Sequence, residues 1–355
     1  MVEWLAGNRI RGTTAERPSA SLQSPSVGGW KELARTTLGS AGDDITVSSL
    51  PDKRYYQVLW NSIHTGNCRA DIQLGSSSVD TSSNYAYRYS TDGAVDPTPS
   101  TGASSIVASN GGTSTLKQFG NVFISNLSAK EKLVLGQTVT QSTAGAATAP
   151  NRREWAGKWA NTSNPLDIVN LHNNNSGDWS ANSEVVVLGW DPDDTHTTNF
   201  WEELASANGT GSSTEISSGT ISAKKYLWLQ MWNDTGATSY TNMTFNNDTA
   251  SNYARRTSED GAADSTAVSE AAALLPPNVT GPHFMNIFII NNSANEKLCI
   301  FHNVGGSSAG AATVPLRSEG VFKWANTSAQ ITEIDMTSSS GNYTSNSILK
   351  VWGAN

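Results

Sequence analysis

The chain repeats itself, and that fact limits its folds more than any other. WKELA at residues 30–34 returns as WEELA at 201–205, SNYAYRYSTDGA from Ser83 as SNYARRTSEDGA from Ser251, and NLSAKEKLVL from Asn126 as NNSANEKLCI from Asn291. STAGAATAPNRRE from Ser142 answers SSAGAATVPLRSE from Ser307, and KWANTS stands at both Lys158 and Lys323. The offset between copies drifts only from 171 to 165 residues, so they differ by small loop deletions. Two copies of one unit must share one fold, and about 160 residues suffice for each to bury its own core. The expected organisation is an N-terminal arm over 1–29, a first domain over 30–190, a linker over 191–198 and a second domain over 199–355.

Within a copy, runs of four to ten apolar or alternating residues are separated by Gly, Asn, Asp and Ser clusters, the pattern of short strands and polar turns. In the first copy strands are predicted near Leu33–Leu38, Ile45–Leu50, Tyr55–Ile63, Ala70–Leu74, Tyr85–Ser90, Val122–Asn126, Lys132–Val139, Ile168–Asn173 and Glu184–Trp190. That many strands in one copy predicts an all-β chain of two tandem jelly-roll-like sandwiches behind an extended arm. An immunoglobulin-like topology is disfavoured, because its Cys-Trp-Cys pattern is missing.

The strand starting at Tyr55 and its repeat at Tyr226 give the sharpest local reading, since successive side chains of a strand point to opposite faces. Tyr56, Val58 and Trp60, like Leu227, Leu229 and Met231, form a core face. The second copy's other face carries Tyr226, Trp228 and Trp232. Such a row suits an interface, a surface on which sugar rings stack, or burial under the domain's own loops.

Little in the chain points to chemistry. The five histidines are scattered without zinc-ligand spacing, and no nucleophile elbow or phosphate loop occurs, so neither catalytic residues nor a metal or other cofactor are expected. Aligned carboxylates (Glu32 with Glu203, Glu131 with Glu296, Glu154 with Glu319) have Lys or Arg nearby and read as structural ion pairs. Asp191, Asp193 and Asp194 lack the glycine turn of a calcium loop. Cys68 and Cys299 fall at non-equivalent places and read as free thiols. The net charge of −8 argues against direct nucleic-acid binding. No run of about 18 apolar residues would insert into a membrane, and the N-terminus lacks a signal-peptide core.

The series W-x-E-L, I-T-V-S-S-L-P-x-K-R-Y, F-N-N-D-T-A-S-N-Y-A-R-R and S-E-V-V-V-L-G resembles a repeat found in virion proteins of tailed viruses, of fibre, tail-associated or decoration type. The F-N-N-D-T group stands only in the second copy. The resemblance implies a non-catalytic role on the capsid surface or tail, contributing to host attachment, in a particle assembled in the host cytoplasm. Its expected partners are other copies of the chain, other virion proteins and a host surface glycan. On this reading the arm is a docking element, with Trp4, Leu5 and Ile10 as apolar anchors and Arg9 and Arg11 as cations. The rival expectation is a tandem carbohydrate-binding, lectin-like protein of a cell surface.

Overall fold

In a computed structural model of the chain, the described residues are 3–5, 9–11, 29–97, 99–112, 115–192, 194, 196, 198–306 and 310–355, and among them no helix occurs. Strands β1 (Glu3–Leu5) and β2 (Arg9–Arg11) pair antiparallel, with Trp4 opposite Ile10. The side chains of Trp4, Leu5, Arg9, Ile10 and Arg11 lie outside the described residues.

The first sandwich contains β3 (Lys31–Thr37), β4 (Asp44–Val47), β5 (Tyr55–Ile63), β6 (Ala70–Ser76), β7 (Ser78–Val79), β8 (Tyr85–Thr91), β9 (Ser100–Ala103), β10 (Ile106–Val107), β11 (Lys117–Ser125), β12 (Lys132–Thr140), β13 (Asn151–Trp159), β14 (Ile168–Asn173) and β15 (Glu184–Trp190). The second contains β16 (Glu202–Asn208), β17 (Glu215–Ser217), β18 (Tyr226–Asn233), β19 (Ser239–Phe245), β20 (Tyr253–Glu259), β21 (Ser265–Glu270), β22 (Ala273–Val279), β23 (His283–Ile290), β24 (Lys297–Gly305), β25 (Leu316–Trp324), β26 (Ile334–Ser338) and β27 (Ile348–Ala354).

Each sandwich packs one large sheet on one small sheet. The large sheets run β3-β15-β5-β11-β12-β13-β8-β9 and β16-β27-β18-β23-β24-β25-β20-β21; the small ones run β4-β14-β6-β10, with β7 on β6, and β17-β26-β19-β22. Strand for strand these orders are the same. The chain is thus all-β, with two tandem jelly-roll-like β-sandwich domains. Strand β13 has no counterpart among the predicted strands: its N-R-R-E start carries charges that no apolar pattern flags, yet Arg152 and Arg153 are both buried.

The inner faces form the two cores. Tyr56, Val58 and Trp60 of β5 meet Ile72, Leu74, Val169 and Leu171 of the small sheet, and Leu227, Leu229 and Met231 of β18 meet Met243, Phe245 and Met336. Close cross-strand fits set the registers. Gly136 lies opposite Trp155, whose ring covers it so closely that a Cβ there would come within 2.0 Å. Gly120 lies likewise under Trp60.

The repeated motifs are latches of this fold. The Trp159 indole donates to Asp80 at 2.8 Å, and the Trp324 indole to Asp248 at 2.7 Å. Asn84 and Asn252 donate to the same carboxylates, and the Tyr85 and Tyr253 hydroxyls donate to the carbonyls of Asp80 and Asp248. Burial would raise both carboxyls, but these donors outweigh it and hold each below its ordinary range. Asp80 therefore stands where Asp248 stands, so the acidic member of the F-N-N-D-T group is present in both copies. Only the two Asn lack counterparts, of which Asn246 accepts from the backbone of Thr332 and Glu333. Lys132 donates to the Asn161 carbonyl and Lys297 to that of Asn326, which ties the E-K-L motif to K-W-A-N-T-S in each copy.

Candidate functional site

The two sandwiches join through the outer faces of their large sheets, making a stack of four β layers. Leu59, Phe119, Val139, Val186 and Leu188 of the first meet Phe200, Trp201, Tyr226, Phe288, Leu298 and Ile300 of the second in a third apolar cluster. Outer-face positions of a sandwich are ordinarily polar; here they are apolar on both sides, because each sheet serves as core for the other.

Around this cluster the charged side chains of one sandwich are neutralised by the other. Glu184 of β15 accepts from Lys225 at 2.8 Å, from the Tyr226 hydroxyl at 2.9 Å and from Thr37 at 2.6 Å. Burial alone would raise this carboxyl, but the donors, led by Lys225, bring it below its ordinary range. Arg152 of β13 grips Asp264 with two nitrogens, at 2.6 and 3.2 Å, and reaches Glu154 at 2.8 Å. Such a two-pronged contact fixes orientation as well as charge. The small-residue run after β12 docks by backbone: Lys323 donates to the carbonyls of Gln141 and Thr143, Gly145 N–H donates to Glu296, and Ser269 N–H donates to the Ala146 carbonyl.

The aromatic row singled out in the sequence falls partly inside this contact. Tyr226 is fully buried, and its ring packs 6.4 Å from Phe119. Trp228 stacks on Phe288 and Trp352, with centroids 5.8 and 4.8 Å away, and donates to Asn286 at 2.6 Å. Tyr226 thus offers no ring face to a sugar, while Trp228 is half-buried among its neighbours. Trp232, at the far end of the same strand, is open to solvent.

Beside the contact lies an open groove of about 460 Å³, lined among others by Arg88, Tyr89, Asn121, Phe123, Glu154, Asn286 and His302. Its carboxylates invite comparison with an acid/base pair. Burial and then repulsion from Glu154 raise the Glu319 carboxyl, whereas at Glu154 the burial penalty is outweighed by His302 and Arg152, so that it sits low. Divergent carboxylates are what proton-transfer chemistry uses. Here, however, Glu154 lines the groove and Glu319 does not: Glu319 is buried, and Arg152 lies against both.

The remaining aligned acids are ion pairs: Glu32 with Arg35, Glu203 with Lys350, Glu131 with Lys158 and Glu296 with Lys323. In the linker, Asp194 pairs with Lys53 and Asp191 accepts from the Arg54 N–H, while Asp193 lies outside the described residues. Among the described residues no group of three or more His, Cys, Asp or Glu is arranged to hold a metal ion. Cys68 and Cys299 are buried free thiols.

Sequence reasoning missed Arg152, Asp264 and Glu184 as interface residues. The signal was present as a difference between copies: Glu184 aligns with Ile348, and a repeat that keeps its core but changes its outer face marks where the copies meet.

No family model matches the chain, and no curated protein matches it. Among solved structures it is similar to domains LG4–5 of the mouse laminin α1 chain, at 9% identity and a TM-score of 0.20, covering 92% of this chain and 91% of that one. It is also similar to the LG1–3 region of the laminin α2 chain, at 7% identity and a TM-score of 0.22, covering 88% and 68%.

Proposed function

We propose that the chain is a non-catalytic structural protein of a virus particle, on the capsid surface or tail. The observation that carries this reading is the use made of the polar groups. The repeated Asp, Asn, Lys and Trp residues are spent on latches within each sandwich, and the buried Arg and Glu residues on joining the two sandwiches into one four-layer block. A block joined by a broad sheet interface, in which the groove carboxylates Glu154 and Asp96 each sit beside an arginine, Arg152 and Arg88, suits a scaffold better than an enzyme. The test is location. Antibodies raised against the purified protein should label intact tailed particles in immunogold micrographs, and the protein should co-purify with particles through a density gradient. Its absence from particles, with label on cell envelopes instead, would refute the reading.

A second reading, glycan binding, rests on the groove. Phe123 offers aromatic surface there, and Arg88, Asn121 and Asn286 offer hydrogen-bonding groups, the combination with which proteins hold sugars. A glycan array probed with wild-type protein and with Phe123→Ala decides it: binding that the variant loses supports a sugar site in the groove, and no binding by either protein removes it.

A further inference from the structure

The outer faces of the two large sheets are exposed in opposite halves. Along β12 the outward residues go from open to covered: Leu133 is 57% exposed, Leu135 63% and Val139 0%. Along the equivalent β24 the order is reversed: Leu298 is 0% exposed, Ile300 2% and Val304 38%. The neighbouring strands repeat the inversion. Phe119 is buried and Phe123 open on β11, whereas Phe284 is open and Phe288 buried on β23. Register makes these comparisons strict, since Phe119 pairs with Val139 and Phe123 with Leu135 as Phe284 pairs with Val304 and Phe288 with Ile300.

The two sandwiches therefore do not meet as like on like. One half-face of the first covers the opposite half-face of the second, a heterologous contact between two copies of the same fold. It leaves two apolar half-faces over. On the first sandwich these are Phe123, Leu133 and Leu135, the counterparts of the residues that the second uses inside the contact. On the second they are Phe284 and Val304, with Trp232 beside them, and the first two are counterparts of residues that the first uses inside the contact. The Glu131–Lys158 pair at the free corner of the first is half-exposed, while its counterpart Glu296–Lys323 is buried against the other sandwich.

We propose that a second copy of this chain fills these faces, its free second-sandwich half-face docking on the free first-sandwich half-face, so that the contact joining the sandwiches within a molecule recurs between molecules. A heterologous contact leaves one donor and one acceptor face at the ends of every open assembly, so growth ends in a ring where the rotation closes or continues as a filament where it does not, and a two-fold dimer is not formed. Alternating sandwiches would then run through the assembly with one kind of joint. The contact concerns the purified chain alone: self-association and incorporation into particles can each fail without the other, which keeps this inference distinguishable from the function proposed above.

The test is sedimentation velocity from about 1 µM to about 1 mM, a span that covers weak to moderate specific contacts. The expected result is a mean mass that rises past the dimer with concentration. L133E/L135E and F284E/V304E, made at exposed positions, should each stay monomeric with unchanged far-UV circular dichroism, their apparent Kd at least about tenfold weaker. An equimolar mixture of the two should form a dimer and stop there, because it retains one good donor face and one good acceptor face. A wild-type protein that is monomeric throughout would overturn the proposal, as would a dimer that survives either variant alone or a mixture that stays monomeric. If the double variants unfold early, the single Leu135→Asn and Val304→Asn changes carry the same test.

Discussion

Replacing Arg152 with Met should loosen the joint between the sandwiches while leaving each core intact. The Arg152 side chain is 5% exposed and that of Asp264 2%, and two hydrogen bonds, of 2.6 and 3.2 Å, join them across the interface. Removing the cation strands the Asp264 carboxylate in a place without water and takes a neutralising partner from Glu154 as well. Breaking a buried pair by deleting one partner costs about 3–5 kcal/mol, whereas an exposed pair is worth about 1 kcal/mol or less. Because each sandwich has its own apolar core, the loss falls on the interface. Calorimetry should then show one cooperative transition in the wild type split into two in Arg152→Met, with the earlier one moving to lower temperature. The companion R152M/D264L, which replaces both charges by apolar groups of similar reach, should recover most of the loss, since the penalty lies in the unpaired charge and not in the absence of attraction. A cost under about 1 kcal/mol for Arg152→Met, the value of an exposed pair, would refute the argument that this bridge is desolvated and holds the two sandwiches together.

Other expectations follow from the latches and the cores. Burial brings Lys297 down from 10.5 to about 8, so between these values the unfolded chain binds the extra proton and stability rises with pH; below about pH 8 the cost of burying the charge is present in full. Urea unfolding at pH 7.5 and at pH 10 should show that rise in the wild type, and Lys297→Met should lack this part of it. Asp80→Ala and Asp248→Ala each leave an indole and an amide without their acceptor and should cost about 1–3 kcal/mol apiece, measured as a drop in the denaturation midpoint of the affected sandwich. Gly136→Val forces a side chain into the Trp155 ring and should cost about 1–3 kcal/mol, with a change in tryptophan emission that an exposed-loop control such as Gly39→Ala, where a Cβ meets nothing within 4 Å, lacks.

Much of the architecture was legible because the repeat tests every local reading twice. Tyr56, Val58 and Trp60 alone suggest a buried strand face; the apolar Leu227, Leu229 and Met231 at the same alternation make that reading hard to escape, and all six lie in the cores. What stayed hidden was the part that obeys another logic. Strand β13 escaped because its Arg152 and Arg153 point into protein, and a buried cation is visible only when its partner is known; that partner, Asp264, is 112 residues away. The aromatic row on β18 had the composition of an outward binding face, yet Tyr226 ends inside the joint between sandwiches, a placement that depends on how two folded units pack and not on any periodicity within one.

The two copies also show how one fold supports two different surfaces. Positions that serve folding are held in common: Asp80 with Asp248, Asn126 with Asn291, Lys132 with Lys297 and Trp159 with Trp324 keep the same partners in both sandwiches. Positions that serve the joint differ in identity, as Glu184 differs from Ile348, or keep their apolar character while differing in burial, as Leu133 and Leu135 differ from Leu298 and Ile300. An apolar side chain left open on one copy and buried on the other has no folding role where it is open, since the sandwich closes its core without it. A pair of solvent-facing leucines is easily exchanged for polar residues in a protein that gains nothing from them, and their presence at the one corner where the repeat would place a contact is what the proposed joint between molecules explains.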